Sequence, residues 1–233
     1  MLGLDKKISD YCHHYNDFTL DTSKSLQEIS GYSEHPEVTE VLNRIKQKLG
    51  NAINIHDLPQ KKVLDIGCGP ALFLKEYPAD FEKTGIDLMP EMIGLAKETI
   101  PDGKFYTGDF LKTKIEGKFG IVHSVGLLIY INKSKIETFF QKVHDLLEDD
   151  GIFFLSYPHA LSKKDLYYPD MNYVQYSPNF IQFKASKNFE VLYHQHVTDD
   201  RYVGKFDETT YLHPIDPSWR YYKNSSIIIL RKK

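Results

Sequence analysis

Lys62-Val63-Leu64-Asp65-Ile66-Gly67-Cys68-Gly69-Pro70-Ala71 is the stretch on which the reading of this chain turns. An apolar run into an acid and then two glycines predicts a buried strand that breaks into a tight turn, with helix-compatible sequence following at Leu72 to Tyr77. At such a break in an α/β sheet, glycine lets a ligand lie directly on the backbone, where a Cβ would hold it away. The turn at Gly67, Cys68 and Gly69 is therefore read as a ligand seat. A dinucleotide-binding G-x-G-x-x-G beginning at Gly67 would need glycine at position 72, and the chain has Leu72 there.

Working outward, Lys83 to Asp87 reads as a second strand ending in an acid, 22 residues after Asp65, which is the span of one strand-helix-strand unit. Pro90 then opens a helix. An acid at such a strand tip can accept hydrogen bonds from both hydroxyls of a ribose. A third strand, Lys104 to Thr107, runs into Gly108-Asp109-Phe110, with the acid again 22 residues on. Phe119 to Val125 gives a fourth strand. Ser134 to Glu148 gives a helix with a capping box at Ser134 and Glu137, and Ile152 to Tyr157 a fifth strand, apolar throughout. Alternation of strand and helix from 63 to 157 predicts a doubly wound parallel sheet, to which Phe189 to Val197 and Ser226 to Arg231 add a sixth and a seventh strand.

Val63 to Ala71, followed by acids at successive strand tips, resembles the class I S-adenosylmethionine-dependent methyltransferases, whose first motif is acid, any, Gly, any, Gly. The resemblance covers roughly residues 60–160. It implies a seven-stranded, mostly parallel sheet with helices on both faces and the seventh strand antiparallel between the fifth and sixth. It also implies S-adenosyl-L-methionine as cofactor. Asp109 is then expected near the adenine amino group with Phe110 against the ring, and Asp65, Leu88, Met89, His123 and Ser124 join Gly67, Cys68, Gly69 and Asp87 around the cofactor. In many relatives an N-terminal helix covers the cofactor. Leu4, Ile8, Tyr11, Cys12 and Tyr15 are spaced as one helical face, which makes Tyr15, with Tyr11, a candidate for the methionyl carboxylate or the substrate.

The implied activity is methyl transfer to an oxygen or nitrogen of a small metabolite, such as a sugar derivative or specialised metabolite. Alternatives within the fold are an enzyme acting on protein or RNA, and a non-catalytic scaffold; intact Asp65, Gly67, Gly69, Asp87 and Asp109 speak against the scaffold. Relatives that methylate exocyclic base nitrogens carry an Asn/Asp-Pro-Pro-Tyr/Phe signature after the fourth strand, where this chain reads Ser124-Val125-Gly126-Leu127.

Composition agrees with one domain: 1–59 as helical lid, 60–158 as cofactor core, and 159–233 as substrate cap with the last strands. Within the lid, residues 19–35 read as a polar connector, and Val38, Val41, Leu42, Ile45 and Leu49 as the buried face of a second helix. Lys plus Arg number 29 against 32 acids, a net charge of -3, which provides no global field toward nucleic acid or an anionic membrane. Two cysteines, Cys12 and Cys68, suit a reducing cytoplasm, and no signal peptide or run of 18 apolar residues is present.

Residues 151–222 hold 17 of the chain's 31 aromatic residues, many in Pro- and Asp-rich loops that this fold sets above the carboxyl edge of the sheet, so an aromatic acceptor cap is expected there. His159, after Tyr157-Pro158 at the end of the fifth strand, is the candidate general base, and Tyr130, after the fourth, is the other polar side chain placed to touch an acceptor. His194 and His196 share one face of the sixth strand with His213 further on. No cysteine or clustered carboxylate completes a ligand set, so no metal is expected.

Overall fold

The computed structural model describes residues 20, 21, 23–30, 32, 36–160, 165–168, 173–196 and 225–233. The expected N-terminal helix with Tyr11 and Tyr15 lies outside the described residues, as do Tyr202, Tyr211, His213, Trp219, Tyr221 and Tyr222.

The described elements run α1 (Leu26–Ile29), α2 (Pro36–Ile55), β1 (Lys62–Ile66), β2 (Glu82–Asp87), α3 (Pro90–Thr99), β3 (Lys104–Thr107), β4 (Phe119–Val125), α4 (Ile136–Leu146), β5 (Leu147–Pro158), β6 (Leu166–Tyr168), β7 (Tyr173–Gln175), α5 (Pro178–Ala185), β8 (Phe189–His196) and β9 (Ser225–Lys232). Seven strands form one sheet in the order β3-β2-β1-β4-β5-β9-β8. β1 to β5 are parallel, and β9 runs antiparallel between β5 and β8, as expected.

Strand residues alternate between two packed layers. Val63, Ile121 and Phe154 pack on one face with Val38, Leu42, Ile45 and Leu49 of α2 and Ile93 of α3. Leu64, Val122, Phe153 and Leu155 pack on the other with Phe139, Phe140 and Val143 of α4 and Ile181 of α5. Covering on both faces is why β4 is apolar along nearly its whole length and buried throughout.

Several local expectations are corrected. The segment after the glycine turn forms only a 3-10 turn at Leu74–Glu76, because Pro78 holds Tyr77 in an extended conformation and a helix cannot continue into it. The capping box at Ser134 and Glu137 does not form. A 3-10 turn at Lys133–Lys135 comes first, the Asn132 side chain accepts from the Ser134 amide, and α4 starts at Ile136 with no side-chain cap. Glu137 pairs instead with Lys184 of α5 and with Lys187, just beyond that helix, at 2.6 and 2.7 Å.

The connector at 19–35 contains α1, whose own capping box joins Ser25 and Glu28. Pro158 is the last residue of β5 and pairs with Ser225, and the next residue, His159, bridges to Tyr176 just after β7. Phe183 of α5 is 62% exposed.

Candidate active site

From the centre of the sheet the chain winds outward through β1, β2 and β3, then crosses to β4 and winds the other way. The crevice between the carboxyl ends of β1 and β4 is therefore the switch point where ligands bind in such sheets. The glycine turn leaves β1 there, Asp87 and Asp109 stand at the tips of β2 and β3, Gly126 to Tyr130 follow β4, and His159 follows β5.

The turn is held by its own backbone. The amides of Gly67 and Cys68 both donate to the Ile86 carbonyl, at 2.8 and 3.0 Å, and the Ala71 amide donates to the Cys68 carbonyl at 2.9 Å. Gly67, Gly69 and Ala71 all take left-handed backbone, with φ of 75°, 50° and 66°. The two glycines differ in what surrounds them. A Cβ on Gly67 would lie 3.1 Å from Leu127 Cδ1, whereas among the described residues one on Gly69 would meet only Ser30 Oγ, at 3.9 Å. Gly67 thus serves close packing of the segment after β4, and Gly69 carries the open side of the turn. Cys68 turns inward, its sulfur so near Gly85 that a Cβ there would come within 2.8 Å of it. Burial, with Asp65 and Asp87 nearby, pushes the Cys68 thiol well up, so the residue acts as packing and not as a nucleophile.

Asp87 joins the tips of β1 and β2. Its Oδ2 accepts from the Gly69 amide at 2.9 Å and its Oδ1 from the Met89 amide at 3.0 Å. Burial raises its carboxyl above the usual carboxylate range, and those two amides pull it part of the way back. The residue remains partly open to solvent, with Leu88 and Met89 half-buried beside it. Each carboxylate oxygen has about two lone-pair sites, so each can accept a second donor from a ligand.

Other expected cofactor residues turn away from the crevice. His123 and Ser124 are fully buried. The Ser124 hydroxyl donates to the Ile66 carbonyl at 2.9 Å, securing β4 to β1. His123 stands beside Asp65 in register, with Nε2 3.0 Å from Asp65 Oδ2 but off the line of a hydrogen bond, while Nδ1 meets the Tyr77 hydroxyl at 3.0 Å. Asp65 is therefore a buried anchor under the turn.

Phe110, expected against an adenine ring, packs inward on Phe139 with ring centroids 5.6 Å apart and Lys142 Nζ 5.0 Å above it. Asp109, at the tip of β3, stays partly exposed, where it caps the Leu111 amide at 2.9 Å and pairs with Lys112 at 3.0 Å.

Two residues that the sequence reading passed over reach into the crevice. Ser30, at the end of α1, stands over Gly69, and the Tyr32 hydroxyl would touch a Cβ on Gly126 at 3.1 Å, where φ is 78°. The available signal was the Ser25-to-Glu28 capping box, which marks α1 and so fixes the path of the chain that follows it.

Tyr130 closes the 3-10 turn Leu127–Tyr130 after β4 and is half-buried. His159 is only 3% exposed, with Nδ1 3.0 Å from Ser226 Oγ. His194, weighed above as a ligand, contacts Gln182 at 2.8 Å and Tyr157 at 3.4 Å, and no group of three metal-ligating side chains stands together among the described residues. Among the same residues no helix is long and apolar enough to cross a membrane.

Residues 63–151 match the family model described as "Methyltransferase domain". A curated relative, dTDP-3-amino-3,4,6-trideoxy-alpha-D-glucopyranose N,N-dimethyltransferase of Streptomyces venezuelae, is 28% identical over 101 residues, covering 40% of this chain and 43% of its own. The chain spans less than half the length of the curated relatives it matches. N-methyltransferase NodS from Bradyrhizobium japonicum, solved in complex with S-adenosyl-l-homocysteine, superposes with a TM-score of 0.64 at 13% identity over 89% of this chain and 96% of that one. Burkholderia thailandensis 1,6-didemethyltoxoflavin-N1-methyltransferase superposes with a TM-score of 0.62 at 17% identity over 98% and 86%. The glycine turn, the acids at the strand tips and the antiparallel last strand all lie in a sheet of this kind: residues 63–151 match the methyltransferase domain model, and the chain has the fold of these methyltransferases.

Proposed function

We propose that the chain binds S-adenosylmethionine in the crevice between β1 and β4 and methylates an oxygen or nitrogen of a small metabolite. The observation that carries this reading is the pairing of Gly69 with Asp87: a left-handed glycine whose Cβ would crowd no described atom, with Ser30 Oγ nearest at 3.9 Å, tied at 2.9 Å to a carboxylate that keeps acceptor capacity. A ribose diol fits the carboxylate, and an extended chain fits the open backbone of the turn. When bound, the sulfonium supplies an activated methyl group, so the residues here need only align the partners, exclude water and take up a proton.

In this reading Ser30 over Gly69 and Tyr32 over Gly126 restrict water, Tyr130 contacts the acceptor, and His159 takes the acceptor's proton. Small-molecule acceptors are favoured by the balanced net charge of -3 and by the aromatic-rich sequence that follows β5. The N,N-dimethyltransferase named above, by its name, acts on an amino sugar nucleotide, which supports the same class of acceptor.

The test incubates the full chain with S-adenosylmethionine carrying a labelled methyl group and a fractionated small-molecule extract, then looks for label by mass spectrometry. Label on one small molecule is the expected result. Label found only on protein or RNA would overturn the acceptor class, and the absence of any transfer from a cofactor-binding chain would favour a scaffold.

A further inference from the structure

The connection after β3 is bonded to itself. The Leu111 amide donates to Asp109 Oδ1 at 2.9 Å, and the Lys112 and Thr113 amides both donate to the Asp109 carbonyl, at 2.9 and 2.8 Å. Gly108 lies so close to Thr113 that a Cβ on it would come within 2.6 Å of Thr113 Oγ1. These contacts set the shape of residues 108–113, and two further ones set their place. The Gly108 amide donates to the Asp87 carbonyl at 2.8 Å, which ties the near end to β2. At the far end Lys142 Nζ, reaching across from α4, donates to the carbonyls of Phe110 and Thr113 at 2.5 and 2.6 Å, with the Phe110 ring centroid 5.0 Å away.

Among the described residues Lys142 is the donor that these two carbonyls have. An ammonium carries three donors on a flexible stem, so one group serves both acceptors. Burial presses the Lys142 ammonium below the ordinary lysine value, and the Asp109 charge draws it part of the way back. The side chain thus gives up hydration and meets carbonyl oxygens in its place. Among the same residues the amides of Asp109 and Phe110 have no acceptor, although Phe110 is buried. Buried backbone donors are nearly always paired, so a leftover pair at the carboxyl edge of the sheet is open to a ligand.

The order of strands relates this loop to the cofactor. The glycine turn follows β1, Asp87 ends β2 and Asp109 follows β3, and neighbouring strands lie about 4.8 Å apart. A molecule with its amino-acid chain on the turn and its ribose on Asp87 therefore brings its base to the loop at Asp109. An adenine edge offers an amino group that donates and a ring nitrogen that accepts, and the Asp109 carboxylate with the leftover amides is its complement. We infer that Lys142 is a positioning residue for the base of the cofactor: by pinning Phe110 and Thr113 to α4 it holds Asp109 in place relative to Asp87, so that the site tells adenine from a base without the amino group. The inference rests on the reading of this crevice as the S-adenosylmethionine site.

The test needs no methyl acceptor. The full chain is titrated calorimetrically with S-adenosylhomocysteine and with S-inosylhomocysteine, in which a carbonyl replaces the amino group and a ring N–H the accepting nitrogen. The wild-type protein is expected to prefer S-adenosylhomocysteine by about tenfold or more, since the second ligand sets a carbonyl against a carboxylate. In Lys142→Met, which keeps the apolar stem, S-adenosylhomocysteine is expected to bind about tenfold more weakly and S-inosylhomocysteine much as before, so the preference collapses. Lys142→Arg, which keeps donors for both carbonyls, is expected to retain it. If Lys142→Met does not fold, Lys142→Gln, too short to span both carbonyls, is titrated in its place with the same expectation. A residue that only stabilised the fold would lower Tm and leave the preference alone. An unchanged preference in the folded variant, or equal binding of both ligands by the wild type, would overturn the role of Lys142 while leaving the cofactor reading in place. A wild-type chain that does not bind S-adenosylhomocysteine would overturn both.

Discussion

The Asp87 carboxylate accepts the Gly69 amide at 2.9 Å, so the tip of β2 and the turn after β1 are held together by the same side chain that faces the ligand crevice. Removing it has two separable effects. Asp87→Ala should weaken binding of S-adenosylhomocysteine by about 1.5 to 3 kcal/mol, since hydrogen bonds to a charged acceptor are lost. It should also lower Tm, because the Gly69 and Met89 amides lose their acceptor. Calorimetry with the folded variant checks the first, and an unchanged dissociation constant would place the ribose elsewhere.

Gly67 and Gly69 should fail differently. Valine at either position takes on left-handed strain of about 1 to 2 kcal/mol. At Gly67 the side chain also collides with Leu127, so Gly67→Val should lose stability first. At Gly69 the added Cβ would crowd no described atom, the nearest being Ser30 Oγ at 3.9 Å, so Gly69→Val should stay folded and lose cofactor affinity. Melting curves and titrations on the pair distinguish the two, and full affinity in Gly69→Val would mean the turn is not the seat.

Ala71 sits at φ 66° and is fully buried. Ala71→Gly relieves about 1 kcal/mol of left-handed strain and gives back roughly 0.4 to 1 kcal/mol through the freer unfolded chain, so the net change in unfolding free energy should be small. Cofactor affinity should not move. A loss of several kcal/mol in denaturant unfolding would show that the methyl group packs more tightly than its backbone strain suggests.

The Glu137 carboxylate is held down to about 2 by hydrogen bonds from Lys184 first, then Lys187. A depressed carboxyl contributes stability that is fully present above its unfolded value of 4.5 and is lost as pH falls through its folded value of about 2. The pair is exposed, so the effect is modest and screened by salt. Glu137→Gln should flatten the decline of Tm across that acid range at low ionic strength, and an unaltered profile would mean the α4–α5 bridge does not act in solution.

Much of the fold was legible because it rests on local patterns: the run into Gly67-Cys68-Gly69, the repeat of strand and acid at Asp87 and Asp109, and the alternation that followed. What escaped depends on three-dimensional neighbours. Nothing in the order Phe110-Leu111 says that the ring will turn toward Phe139 and not toward the crevice, since both directions bury it. His123 looked like a site residue because a histidine near a strand end often is one; Asp65 lies two strand residues from Ile121's partner Val63, and only the β1–β4 register sets it opposite His123 and gives that ring an interior partner. Ser226 opposite Tyr157 is likewise a matter of β9 lying antiparallel beside β5, which separates residues far apart in sequence by one strand spacing. The missed α1 was different: its capping box was visible, and it was overlooked because four helical residues carry almost no periodicity.

The most direct test is a calorimetric titration of the full chain with S-adenosylhomocysteine and, separately, with NAD. Saturable binding of S-adenosylhomocysteine, weakened in Asp87→Ala and abolished in Gly69→Val, with no comparable heat from NAD, is the predicted result. Binding of NAD alone, or S-adenosylhomocysteine binding that neither substitution disturbs, would contradict the assignment of the crevice between β1 and β4 as the cofactor site.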